Sequence, residues 1–131
     1  MPFVAYLDSS ALVKTIVREA ETAALRRFLR NTTVHASCAL AMTEVLRAVR
    51  RANPAAMGMA HQVLGRLVVL ELTDALFIDA GLLDPPELRT LDAIHLAAAR
   101  SLGADLAAVV TYDERMADAG RSLGLPVEAP A

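Results

Sequence analysis

The chain has 131 residues, of which 15 are acidic and 13 basic for a formal net charge of −2; 55% are hydrophobic, none is Trp and one is Cys. One domain of this length buries about two-thirds of its unfolded surface without a disulfide or structural metal, and the lone Cys38 permits no internal disulfide. The charge excludes a protein that coats nucleic acid by bulk attraction, and no apolar stretch approaches the roughly 20 residues that span a bilayer.

Asp8 interrupts the position where a signal peptide must be apolar, so the expected location is the cytoplasm. A core made of Ala, Leu and Val with 4% aromatics suits helices packed closely on a sheet. Only Lys14 among the 13 basic residues is a lysine, and the arginines gather at Arg26, Arg27 and Arg30 and at Arg47, Arg50 and Arg51. Such clusters are either solvated helix faces or phosphate contacts.

The apolar run Phe3–Leu7 predicts a buried strand that halts on Asp8. Ser10–Val17 and Glu19–Arg30 follow as two short helices, and the β-branched Thr32–Ala36 as a second strand. Ala39–Ala52 is helical up to the Asn53-Pro54 turn, and Ala55–Arg66 is a helix weakened by Gly58 and Gly65 that runs into a strand at Val68–Leu72. Asp74–Leu83 reads as a helix closed by the paired prolines of DPPEL, and Thr90–Leu102 as a helix stopped by Gly103. Leu106–Thr111 is an apolar strand, Glu114–Leu123 a helix stopped by Gly124, and Val127 opens a short last strand. With no linker, repeat or low-complexity tract, residues 1–131 read as a single domain.

Strands that alternate with helices imply a parallel sheet covered on both faces, hence a three-layer α/β/α domain. Ligands of such sheets lie beyond the carboxyl ends of the strands where the order reverses, and Asp8 and Asp113 each follow a strand. If those strands are neighbours, both acids enter one crevice.

Two further acids occupy helix borders. In ALAMTEVLRAVRRA the expected core stripe is Cys38, Met42, Val45, Leu46 and Val49, which leaves Glu44 on a flank beside Ala41 and Ala48. In TLDAIHLAAARSL the expected buried face is Leu91, Ile94, Ala98 and Leu102, with Asp92 on its edge in the first turn. Each acid also has a plain alternative: Asp8 as a helix cap, Asp92 as a partner of the helix dipole worth about 0.3–1 kcal/mol, Glu44 as a solvated charge. Taken together, four carboxylates in one crevice would repel, by roughly 4 kcal/mol for a pair about 4 Å apart at an effective dielectric of 20, so the expected counter-ion is a hard dication. Mg²⁺ or Mn²⁺ accepts carboxylate and water oxygens, makes hydroxide from bound water near neutral pH and suits phosphodiester hydrolysis with one or two ions. Ser10 and Thr111 flank the acids, placed either to orient a carboxylate or a metal-bound water or to serve simply as a helix cap and a strand end.

The series YLDSSALVK, TEVLRA, RTLDAIHLAAA and VTYDERM, in that order along nearly the whole chain, resembles the PIN-domain nucleases and in particular the VapC-type toxins of bacterial toxin-antitoxin pairs. This resemblance implies a Rossmann-like sheet of strand order 3-2-1-4-5 and an Mg²⁺- or Mn²⁺-dependent endoribonuclease. The residues it implies as catalytic metal ligands are Asp8, Glu44, Asp92 and Asp113, with Ser10 and Thr111 in support. It further implies a homodimer, an RNA substrate, and a small VapB-like antitoxin whose C-terminal segment lies over the active-site groove. Some relatives carry one more acid, for which Asp118 and Glu114 are the candidates here.

His95 follows Asp92 by one helical turn and lies on the apolar face, which makes it a satisfied core histidine rather than a general base; His35 and His61 lack metal-spaced companions. Arg89 and Arg115 flank the third and fourth acids, each placed either to reach RNA phosphates or to pair a local carboxylate. A metal-dependent adhesion module would need a serine where Leu12 stands, a phospho-receiver a lysine after a late strand, and a haloacid-dehalogenase-type phosphatase an acid at Ser10. The competing reading is a non-catalytic relative that binds RNA or a partner; retention of all four acids favours the enzyme.

Overall fold

The computed structural model describes residues Met1–Ala131. In chain order the elements are β1 (Val4–Leu7), α1 (Ser9–Ile16), α2 (Thr22–Leu29), β2 (Val34–Cys38), α3 (Leu40–Ala52), α4 (Met57–Arg66), β3 (Val68–Leu70), α5 (Asp74–Gly81), α6 (Thr90–Arg100), β4 (Leu106–Val110), α7 (Glu114–Ser122) and β5 (Val127–Glu128). The five strands form one parallel sheet of order β3-β2-β1-β4-β5. Parallel neighbours require crossovers, and the helices that supply them cover both faces.

Side chains that alternate along β1 divide the core. Ala5 and Leu7 face α1, α2, α3 and α4 through Ala11, Leu12, Leu25, Val45, Val49 and Leu64. Tyr6 faces the other way, onto α5, α6 and α7, with Ile94, Leu96, Ala98 and Met116. The β1–β4 register slips once, from Val4 opposite Leu106 to Ala5 opposite Ala108, leaving Ala107 out of the pairing. This slip puts Leu106 and Ala108 in different core layers although they are two residues apart. Beyond it the pairing runs regularly to Leu7 opposite Val110, so Asp8 and Thr111 emerge side by side at the carboxyl end.

Three residues expected inside lie outside. Phe3 precedes the sheet and is exposed, so the strand begins at Val4. Met42 is 43% exposed and Leu91 48% exposed. Helical periodicity assigns residues to a face, but both residues lie in the first turns of helices that start beyond the sheet edge, where that face has nothing to cover it. Further along α6, Ala93 to Ala99 are buried without interruption, because small side chains let α5, α7 and the sheet pack around the helix. Gly120 does the same for α7: a Cβ there would lie 2.9 Å from Val127 Cγ2.

Candidate active site

β1 ends at Leu7, and Asp8 then caps α1, its Oδ1 accepting the Ala11 amide at 3.0 Å. The Ser10 hydroxyl donates to the same oxygen at 2.6 Å, and Thr111 Oγ1 donates to Oδ2 at 2.5 Å. These hydroxyls also hold the segment after β4, since Ser10 Oγ accepts the Tyr112 amide at 3.0 Å and Thr111 Oγ1 the Asp113 amide at 3.1 Å. Asp8 is only 4% exposed. Burial raises its carboxyl pKa above the usual range, outweighing the bonds from Ser10, Thr111 and Ala11 that favour the charged form.

Asp113 caps α7, with Oδ1 on the Met116 amide at 3.0 Å. Its Oδ2 accepts from Arg89 Nη2 at 2.8 Å, while Arg89 Nε donates to Asp92 Oδ2 at 3.1 Å in the first turn of α6. A single guanidinium therefore bridges two of the four acids, and its side chain is 60% exposed. Of the two arginine alternatives, Arg89 is a carboxylate partner; Arg115 is exposed and forms no ion pair.

Glu44 projects from α3 toward the start of α1, where Ser9 Oγ donates to its Oε1 at 2.7 Å. The other partner of that oxygen is His95 Nε2 at 2.7 Å. On the inner side His95 Nδ1 lies 2.8 Å from the Tyr6 hydroxyl and 3.6 Å from Cys38 Sγ. His95 is 2% exposed, a satisfied core histidine as its apolar surroundings suggested, but it also touches a candidate acid. Burial opposes its charge, yet the bonds with Cys38 and Glu44 prevail and raise its pKa to about 10. At neutral pH both ring nitrogens thus donate, and His95 is no base. Glu44 responds in the opposite sense: burial pushes it up, but His95 and Ser9 bring it below the usual range.

The four acids come from four elements: Thr111 and Arg89 link Asp8, Asp113 and Asp92, while Glu44 is held separately by His95, one turn beyond Asp92 on α6, and by Ser9, next in sequence to Asp8. Repulsion among them is relieved by Arg89, by His95 and by neutral hydroxyls, where the sequence suggested a dication. No three His, Cys, Asp or Glu side chains stand close enough together to hold one cation in this arrangement. The donor set is wholly oxygen, which suits Mg²⁺ or Mn²⁺ rather than a softer ion, and the Arg89 guanidinium shows positive charge accepted between Asp92 and Asp113. In donor chemistry the residues fit a hard dication.

Asp118 and Glu114 are exposed, and Asp118 pairs weakly with Arg121 at 3.8 Å. Ser9, Tyr6 and the bond between His95 and Glu44 were not singled out from sequence. The available signal was the DSS doublet, which starts a helix with a hydroxyl beside the capping acid. A separate groove of about 650 Å³, lined by Leu12, Met59 and Val63 with Arg26, Arg30 and Arg66, holds none of the four acids.

Acids and their partners at the carboxyl ends of β1 and β4, on a doubly wound parallel sheet, lie where ligands of a Rossmann-like fold bind. Residues 5–122 match the PIN domain family. The chain is 49% identical over 126 residues to ribonuclease VapC46 of Mycobacterium tuberculosis, covering 96% of this chain and 97% of that protein. It is 42% identical to ribonuclease VapC35 of the same species, covering 95% and 96%. Among solved structures, M. tuberculosis VapC20, described as a sarcin-ricin loop cleaving toxin, superposes with a TM-score of 0.73 at 18% identity over 88% of this chain and 95% of that one. VapBC2 of Rickettsia felis, bound to a DNA fragment from its promoter, gives 0.70 at 14% identity over 98% and 100%. The chain belongs to the PIN-domain family and, within it, to the VapC ribonucleases.

Proposed function

We propose that this chain is an RNA-hydrolysing enzyme, the endoribonuclease toxin of a toxin-antitoxin pair, and that residues 1–131 form one PIN domain. The relatives named ribonuclease VapC, matched over 95% or more of this chain, support that reading. The observation that supports the site assignment is that Thr111 and Arg89 tie Asp8, Asp113 and Asp92 together, with Glu44 held beside them by His95 and Ser9, since a surface of unrelated acids has no reason to meet at one edge of the sheet.

In this reading Asp8, Glu44, Asp92 and Asp113 hold Mg²⁺ or Mn²⁺, one ion or two. A hard dication held there would supply Lewis-acid polarisation of the phosphodiester and a lowered pKa for a bound water. The protein supplies the positioning. Thr111 and Ser10 fix both carboxylate oxygens of Asp8, His95 and Ser9 fix Glu44, and the caps made by Asp8 and Asp113 lock the loops that bear them. Arg115, exposed and without an ion pair, is placed to contact phosphates, while Arg89 bridges Asp92 and Asp113. The enzyme works as a cytoplasmic homodimer, and a small VapB-like antitoxin covers the groove until it is removed; no helix of the chain is long and apolar enough to cross a membrane.

Purified protein incubated with total RNA tests this directly. Fragments appear with Mn²⁺, disappear with chelator and are absent for Asp8→Ala; expression without antitoxin arrests growth, and the same substitution relieves it. No metal-dependent fragments even at a large excess of protein, or equal toxicity of the variant, would favour a non-catalytic binding module instead.

A further inference from the structure

Beside Glu44, between α3 and the first turn of α6, runs an open groove of about 670 Å³ lined by Thr43, Glu44, Arg47, Arg50, Arg51 and Leu91. Arg47 and Arg51 follow Glu44 by three and seven positions, so all three project along one stripe of the helix. At 1.5 Å of rise per residue the two guanidinium-bearing positions stand about 4.5 and 10.5 Å along the axis from the acid. All three arginines are exposed, and none has a carboxylate partner. Position at the end of a helix accounts for Arg50 and Arg51 through the macrodipole, but Arg47 lies mid-helix.

We propose that this arginine stripe is the track that binds the single-stranded RNA leading to the scissile bond. The proposal rests on the endoribonuclease reading and adds the path of its substrate. A cluster of acids repels a polyanion, so a strand that reaches it needs cations held next to the acids, in a chain whose overall charge is −2. The groove provides them in the planar form that matches phosphate oxygens. Leu91, expected in the core and found 48% exposed, gives the same groove an apolar floor against which a ribose or base face rests. Across the N-terminal turn of α6 lies a second groove in which Arg89 and Arg115 are outnumbered by Glu87, Asp92 and Asp118, so the α3 side is the one that offers a polyanion net positive charge.

The test compares wild type with R47Q/R51Q and with a charge-matched control, R27Q/R100Q, whose arginines are exposed and outside this groove. Binding of a mixed-sequence 12-nucleotide RNA is followed by fluorescence anisotropy in chelator, so that nothing is cut, across a range of salt. The track predicts affinity at least about tenfold weaker for R47Q/R51Q, and a log–log salt slope shallower by about 1.4, or about 0.7 for each single-strand phosphate no longer neutralised. With Mn²⁺, KM for the same RNA rises while kcat at saturation holds. Equal losses in the control variant, or an unchanged slope in R47Q/R51Q, overturn the proposal. So does a variant that keeps RNA binding but loses affinity for an acidic antitoxin peptide, which would make the stripe a protein-docking face. If the slope change appears but wild type cuts no RNA under any metal condition, the track stands and the endoribonuclease reading fails.

Discussion

At the inner half of the candidate site, Asp8 and Glu44 are fixed by buried or short-tethered partners: two hydroxyls and a helix amide for one, a protonated core histidine and Ser9 for the other. At the outer half, Asp92 and Asp113 share one arginine whose side chain is 60% exposed. Hydrogen bonds inside the fold cannot exchange with water without leaving a polar group stranded, whereas an exposed ion pair contributes little and is screened by salt. The inner pair is therefore preorganised, and the adjustable part of the outer half is Asp92 together with the Asp113 oxygen turned to Arg89, the other Asp113 oxygen being held by the Met116 amide.

The comparison breaks most visibly at Asp8. Asp8→Asn keeps a capping side chain but removes the charge, and RNA cleavage should fall by about 10²–10³-fold, as for loss of one preorganised group at the reacting centre. Because burial holds the Asp8 pKa above its unfolded value, the ionised carboxylate costs stability at neutral pH, a cost that appears as pH rises through that range. Thermal unfolding of Asp8→Asn should therefore show no loss of Tm. A large drop would mean that Asp8 is a structural residue first.

His95 should behave in the reverse manner. Removing it in His95→Ala strands Glu44 and the Tyr6 hydroxyl, and denaturant unfolding should register about 2–3 kcal/mol of destabilisation, the size of a hydrogen bond to a charged group. Its folded pKa of about 10 exceeds the unfolded value, so its contribution is complete below about pH 6.5 and is lost as pH rises toward 10. Wild-type stability, measured in chelator, should decline across that window, and His95→Gln should flatten the decline.

Smaller effects separate the halves further. Thr111→Val removes the donor to Asp8 Oδ2 and the acceptor for the Asp113 amide, and should lower kcat by about tenfold, the lower end for groups that orient a metal ligand. Arg89→Gln, at the exposed end, should change stability by less than about 0.5 kcal/mol, because the pairs it makes are open to solvent. If its thermal penalty matched that of His95→Ala, the distinction between the halves would collapse.

Much of the frame could be read from residues. One apolar run that stops on Asp8 and another that Asp113 follows two residues on placed both acids after strands, and helical spacing put Glu44 on an alanine-lined flank. The order 3-2-1-4-5, which makes β1 and β4 neighbours, came from family resemblance, since periodicity distinguishes strands but not their partners. The bonds that tie the acids together were hidden for a related reason. His95 lies 51 positions from Glu44 and Arg89 lies 24 from Asp113, so only the assembled layers bring them together: α3 and α6 cover opposite faces and meet past the sheet's carboxyl edge, with α7 beside α6. Leu91 and Met42 show the same boundary from the other side. Spacing placed each on an apolar face, but where a helix begins beyond its sheet is a property of the assembled layers.

Mn²⁺ binding to the purified chain, followed by electron paramagnetic resonance of the free ion, tests most directly whether the four acids act as one cation site. Wild type should take up one or two ions, and Asp8→Asn from the inner half and Asp113→Asn from the outer half should each weaken that uptake by at least about tenfold. Undiminished Mn²⁺ affinity in both variants would contradict the account.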